Sequence, residues 1–206
     1  MTKLLVVKAH PLTAKESRSV FVAGEFLTSY RQANPQDEIE ELSLYSDSIP
    51  LVDKDILTAF SALAQGTLFT ELSTAQQAKL ARFDELTAQF MTADKVVIVN
   101  PMWNLSIPPM LKAWFDTIMV VGKTFKYTAT GSVGLLANKP ILHIQANGGT
   151  YKGEDFGAKY VHLAMSFMGI TDVQDLFVEG MDHNPELAEE IVAEAVKKAQ
   201  ELGKTF

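Results

Sequence analysis

The chain has 206 residues, 47% apolar and 21% charged, which suits one globular domain over 1–206 with a full core and argues against disorder. A net charge of −7 without any cluster of Lys and Arg argues against a nucleic-acid partner. The absence of cysteine rules out disulfides, thiolate metal centres and thiol catalysis, and no apolar run approaches the ~18 residues a membrane span requires.

Met1 to Lys8 meets a charge too early for a signal peptide, so a cytoplasmic location and no membrane partner are expected. Within that stretch Leu4-Leu5-Val6-Val7 is an unbroken apolar run ended by His10-Pro11, the pattern of a strand buried on both faces. From Ser17 onward Val20, Ala23, Leu27 and Tyr30 recur at helical spacing until Asn34-Pro35, with Ser17 or Ser19 as the cap. Glu38 to Leu44 reads as a weaker, edge-like strand. Helices are expected over 53–65 and after the capping box Ser73-Thr74-Ala75-Gln76, the second with a stripe of Leu80, Phe83, Leu86 and Phe90. Val96 to Val99 is a second central strand, closed by Asn100-Pro101, and Leu111, Trp114, Phe115 and Ile118 mark the next helix. Residues 124–139 read as an irregular insertion reaching outward. A strand over Ile141 to Gln145, a helix over 157–168, a strand over Val173 to Val178 and a helix from near Pro185 complete the chain.

Five strands alternating with helices predict an α/β fold, a doubly wound five-stranded parallel sheet with helices on both faces. Ligands then sit beyond the carboxyl ends of the strands, so loops 8–19, 100–108 and 146–151 are expected to converge.

Spacing excludes several chemistries. Gly122-Lys123-Thr124 looks like the end of a phosphate-binding loop, but the required earlier glycine falls at Thr117 and a helix precedes the segment. A dinucleotide fingerprint fails because no glycine precedes Gly24, and a phospho-accepting receiver fails because Asn100 stands where a carboxylate is needed. His10, His143, His162 and His183 fall in separate elements, so no metal is expected; His143 reads as a core or cross-strand residue and His10 as ligand-facing. No Gly-x-Ser-x-Gly elbow seats a nucleophile, and the sequon Asn104-Leu105-Ser106 has meaning only in a secreted chain.

What remains is a cradle without an acid, base or nucleophile. Ser17-Arg18-Ser19 at a helix start offers N–H groups, hydroxyls and a guanidinium to an anion, although a plain serine cap beside a solvated arginine explains the same residues. The stretch from Asn100 to Pro109 combines three prolines with Met102, Trp103, Leu105 and Ile107, either to hold a flat apolar ligand or to pack under the sheet edge. Ala146-Asn147-Gly148-Gly149 allows close backbone approach to something planar, or is simply a turn. Together the three loops describe an anionic tail and a flat ring, which flavin mononucleotide (FMN) fits.

Val6-Val7-Lys8, Ser17-Arg18-Ser19, Pro101-Met102-Trp103-Asn104-Leu105, Thr124-Phe125-Lys126-Tyr127-Thr128, Asn147-Gly148-Gly149 and Glu179-Gly180 resemble the bacterial FMN-dependent NADH azoreductases, also called NADH:quinone oxidoreductases, over essentially the whole chain. The resemblance implies a flavodoxin-like fold and a homodimer with two FMN sites at the subunit interface. It also implies a ping-pong cycle in which NADH reduces the flavin by two electrons and a quinone or azo acceptor follows in the same place, an azo bond taking two cycles. Catalytic side chains are not demanded, because the flavin carries the hydride chemistry. Contacts are implied from Ser17, Arg18 and Ser19 to the phosphate, from Met102, Trp103, Asn104 and Leu105 along the ring with Pro101 beside them, and from Ala146, Asn147, Gly148 and Gly149 at the pyrimidine side. Some members carry serine in place of His10, and Ser-Arg-Gly-Gly in place of Ala146 to Gly149. Phe60, Phe125, Tyr127 and Tyr151 are the aromatic candidates for stacking on the acceptor, Phe60 equally for a buried helix position. The rival reading is a flavodoxin-type electron carrier without small-molecule turnover, and a third is a flavodoxin-like domain without cofactor.

Overall fold

Alternation within the central strands builds the molecule. In β1 (Lys3–Lys8) Leu4 and Val6 face one side and Leu5 and Val7 the other, all four fully buried. The same double burial runs through β3 (Lys95–Pro101), where Val96 and Ile98 oppose Val97 and Val99. A strand with no wet face needs a helical layer on each side. α1 (Arg18–Ala33) and α6 (Ala188–Thr205) cover one face through Val22, Phe26, Tyr30, Ala195 and Ala199. α3 (Thr74–Thr92), α4 (Pro109–Ile118) and α5 (Phe156–Phe167) cover the other through Leu86, Phe90, Trp114, Phe115 and Val161. α2 (Lys54–Ala64) packs on α3 in a satellite cluster of Ile56, Ala59, Leu80 and Phe83.

In the computed structural model, which describes residues 1–136 and 139–206, the five-stranded sheet has the order β2-β1-β3-β6-β7 and is parallel throughout. Here β2 is Glu38–Ser43, β6 Ile141–Asn147 and β7 Val173–Glu179. The expected doubly wound sheet is what the chain forms, with the acidic β2 at one edge. Ser17 rather than Ser19 is the α1 cap, accepting from Val20 N at 3.4 Å. Ser73 and Gln76 form the expected capping box on α3.

One segment differs. The stretch read as irregular contains an antiparallel hairpin of β4 (Phe125–Thr128) and β5 (Gly131–Gly134), its Thr128 Oγ1 donating to Gly131 O at 2.8 Å across the turn. Strands of four residues are too short to reveal a period of two, so the sequence pattern hides them. Residues 137 and 138 of that stretch lie outside the described ones. The final helix begins at Ala188, after a 3-10 turn over Pro185–Leu187. Among the described residues no helix is long and apolar enough to cross a membrane.

Candidate functional site

The strand order reverses between β1 and β3, and the loops beyond their carboxyl ends border a cavity of about 180 Å³. The first loop contributes His10, Ser17, Arg18 and Ser19. Pro101 comes from the second, and Ala146, Asn147 and Gly148 come from the third. The three expected loops therefore meet. A larger cavity of about 490 Å³ adjoins this one at His10, between α1 and the ends of β1 and β2.

Main-chain bonds hold the loops together. Met102 N donates to Ala146 O at 3.0 Å, and Asp182 N to Gly148 O at 2.9 Å. The second bond brings in a fourth segment, after β7, that sequence reading missed. Met181 lines the cavity, and the Asp182 carboxylate lies where a side chain on residue 148 would grow: a Cβ there would meet Asp182 Oδ2 at 1.9 Å. A side chain at 148 would therefore have to displace the Asp182 carboxylate. Asp182 Oδ1 also lies 3.5 Å from Arg18 Nη1, an exposed pair that orients the guanidinium more than it stabilises the fold.

At the α1 end the Ser17 and Ser19 hydroxyls lie 3.2 Å apart and both residues are buried. A helix leaves its first N–H groups without internal acceptors and carries partial positive charge there. With two hydroxyls beside them, these groups are donors of the kind that bind a phosphate monoester. Ser17 is both the cap and a wall of the cavity, so the two readings of that residue are one.

Over the ring side, Trp103 N donates to Ser106 O and Ser106 N to Trp103 O, at 2.9 and 3.0 Å. Asn104 and Leu105 between them have φ of +48° and +66°, a two-residue turn of the I′ kind. Asparagine tolerates this conformation; leucine pays roughly 1–2 kcal/mol for it. The strain leaves both residues exposed to solvent, with Trp103 edge-on between His10 and Tyr45 at 5.7 and 6.0 Å. Met102 is half-buried. His10 Nδ1 accepts from Leu12 N at 3.0 Å, and burial pushes its imidazole below the ordinary histidine range, so the ring is a neutral donor from Nε2.

Asn147 supplies a test of cofactor fit. Its Nδ2 donates to Glu179 Oε1 at 2.8 Å, which leaves its buried Oδ1 without a donor in a residue that lines the cavity. An orphaned buried acceptor is costly unless a ligand satisfies it. The ring N3–H of FMN is such a donor, and the phosphate of FMN suits Ser17 and Ser19. Glu179 also accepts from Tyr151 N and Lys152 N, at 3.2 and 2.8 Å, and so braces the loop through Lys152, whose φ is +54°. A carboxylate ending the last strand, followed by Gly180 at φ +93°, was the available signal for this segment.

The aromatic candidates scatter. Tyr151 stays with the site, its ring beside Gly149. Phe125 is buried on Phe167 with centroids 4.7 Å apart and offers no free face within this chain. Tyr127 stands exposed on the hairpin, and Phe60 is 42% exposed on α2, packed edge-on against Phe83. None of these three lines the cavity.

Comparison with known proteins agrees with this geometry. The family model described as flavodoxin-like fold matches residues 2–202. A relative from Bacillus licheniformis named FMN-dependent NADH:quinone oxidoreductase 2 is 44% identical, with both chains covered in full. The crystal structure of an azoreductase from Bacillus anthracis superposes with a TM-score of 0.92 at 36% identity, again over both full chains. A second B. anthracis structure, an FMN-dependent NADH-azoreductase in complex with FMN, gives 0.88 at 36% identity over 98% of this chain and 100% of that one. By sequence over its whole length and by fold, the chain belongs to the family of the FMN-dependent NADH:quinone oxidoreductases.

Proposed function

We propose that the protein is an FMN-dependent oxidoreductase that uses NADH to reduce quinones and to cleave aromatic azo compounds to amines. The observation that carries this reading is the meeting of two buried serines at a helix start with an unsatisfied buried amide oxygen across one small cavity. FMN held by these residues would supply the two-electron hydride chemistry between NADH and the acceptor.

The residues of this chain bind, orient and tune. Ser17 and Ser19, with the α1 N–H groups and Arg18, hold the phosphate. Asn147 Oδ1 and the backbone of Gly148 and Gly149 face the pyrimidine edge, where Glu179 keeps the asparagine amide in one orientation. The Trp103–Ser106 turn sets Met102, Trp103, Asn104 and Leu105 along the ring, and His10 adds a neutral Nε2–H. A carboxylic acid or base is not required of the protein. One face left open to stacking serves NADH and acceptor in turn, as a ping-pong cycle requires, and Tyr151 is the stacking residue nearest the site.

A homodimer completes this reading. Phe156 and Leu163, 71% and 68% exposed and two turns apart on α5, form an apolar stripe on the helix whose Gly157 approaches the Ser106 end of the turn. A second copy covering that stripe encloses the ring face, and the exposed Phe60 and Tyr127 reach the acceptor pocket only from that copy, whereas buried Phe125 supports the hairpin beneath Tyr127. The enzyme is placed in the cytoplasm on its cysteine-free composition, which suits a reducing compartment.

The test is an absorption spectrum of FMN-loaded protein before and after anaerobic NADH, followed by menadione or an azo dye. Bleaching by NADH with steady turnover is the expected result. A bound flavin that NADH leaves oxidised means a one-electron carrier and overturns the proposal. Leu163→Glu with Phe156→Glu is expected to yield monomers with reduced turnover, read by light scattering.

A further inference from the structure

Beneath the flavin-facing turn lies a buried polar chain that the proposed function does not use. β6 presents Ile141, His143 and Gln145 in turn to the α5 side of the sheet, while Leu142 and Ile144 face the other layer. His143 is fully buried and pairs in register with Asp175 on β7. Its Nδ1 lies 3.1 Å from Asp175 Oδ1, and its Nε2 lies 2.9 Å from Asn100 Oδ1 on β3. Asn100 Nδ2 in turn donates to Gln145 Oε1 at 3.1 Å and to Pro101 O at 3.0 Å. Gln145 Nε2 donates to Asp155 Oδ2 at 3.0 Å, and Asp155 Oδ1 caps α5 by accepting from Ala158 N.

The ends of this chain fix its direction. Carboxylates only accept, so Gln145 turns its amide nitrogen to Asp155 and its oxygen to Asn100. Asn100 must then aim nitrogen at Gln145 and oxygen at His143, and the imidazole faces an acceptor at each nitrogen. Around the ring stand Asp175 and Phe177 from β7 and Asn100 from β3, and Asp175 is bonded further to His162 of α5 at 2.8 Å. Burial pushes the Asp175 carboxyl up, and the bonds from the two histidines outweigh it, leaving that carboxyl below the ordinary range. Flipping either amide would set two acceptors against each other, at Asp155 for Gln145 and at the Pro101 carbonyl for Asn100.

This directed chain meets the turn at two points. Asn100 grips the carbonyl of Pro101, at the turn's entry. At its exit, Gly157 lets α5 approach so closely that a Cβ there would lie 3.2 Å from the Ser106 carbonyl carbon, 3.1 Å from Gln145 Oε1 and 3.0 Å from Asp155 Oδ1. Consecutive left-handed residues persist only where their surroundings over-determine them. We infer that His143 is a positioning residue: through Asn100 and Gln145 it holds both ends of the Trp103–Ser106 turn, so that the strained form of the ring-facing loop depends on a histidine in the sheet below. The role of the turn rests on the flavin reading; the coupling of His143 to the turn does not.

Amide hydrogen exchange of the full chain, with and without FMN, tests it. In flavin-free His143→Leu the Ser106 amide is expected to exchange about tenfold faster while Val97 in β3 keeps its protection. Asp175→Asn, which keeps the volume and removes the charge facing both His143 and His162, is expected to give about threefold at the same amide. His143→Gln returns a donor to Asn100 and restores most of the protection. Loaded with FMN, His143→Leu lowers kcat with little change in KM and shifts the visible flavin spectrum. Unchanged exchange at Ser106 overturns the proposal, as does an equal loss at Val97, which marks a merely structural core role. Should His143→Leu fail to fold, Asp175→Asn decides by the same two amides. Wild-type protein that binds no FMN ends the functional reading, while the flavin-free exchange still decides the role of His143.

Discussion

The Glu179 carboxylate accepts the Asn147 amide proton at 2.8 Å, and because a carboxylate cannot donate, this bond alone decides which amide atom is left over. The spare oxygen of Asn147 is buried and unsatisfied without a ligand. Asn147→Ala is expected to weaken FMN binding about tenfold, near 1.4 kcal/mol, by losing that acceptor. Asn147→Asp is expected to weaken it further, since two carboxylates then face each other. Fluorescence titration of FMN measures both, and tighter binding by the aspartate variant contradicts the assignment.

The two ends of the site divide binding from turnover. Replacing Ser17 and Ser19 together by Ala removes the cap and two donors, and is expected to lower FMN retention more than the turnover of the protein that remains loaded. Asn104→Ala, at φ +48°, is expected to do the reverse. Equal losses in both variants, by steady-state kinetics and flavin content, refute the division.

His10 sets a pH limit on the acid side. Burial holds its imidazole below the ordinary ~6.5, so its contribution to stability is fully present above that value and is lost as pH falls through the lower folded one. The neutral ring accepts from Leu12 N, a bond that protonation at Nδ1 ends. Thermal melting of wild type is expected to drop more than that of His10→Ser as pH falls below about 6.5. Parallel curves exclude His10 as the cause.

Trp114 offers a test of the core. It is fully buried between Phe90 and Phe115, with ring centroids at 5.6 and 5.3 Å, yet its Nε1 has no acceptor. Trp114→Ala is expected to cost about 3–5 kcal/mol through the cavity it leaves. Trp114→Phe loses volume but also removes the orphaned donor, so about 1–2 kcal/mol is expected. Urea unfolding separates the two.

How far the sequence spoke depends on the range of the interaction. Leu4 to Val7 and Val96 to Val99 announced central strands because double burial erases alternation, and the cap at Ser17 is decided within three residues. The hairpin after Thr124 escaped because four-residue strands carry no period. Phe125 reads as an acceptor-stacking aromatic on the same account, since only the hairpin shows which of its residues turns inward. Glu179 carries no role in the sequence reading beyond its place in the resemblance, and Asp182 carries none at all, for a different reason. Carboxylates look wrong at an anion site until it is seen that one braces backbone N–H groups and the other orients Arg18. The pairing of His143 with Asp175 depends on the register of two strands, which no local pattern contains.

The bonds from Met102 to Ala146 and from Asp182 to Gly148 run from main chain to main chain. The outline of the pocket is therefore written in peptide groups, which every amino acid except proline supplies alike. Side chains along that border can therefore change, and with them the acceptors that fit, without breaking the bonds that frame it.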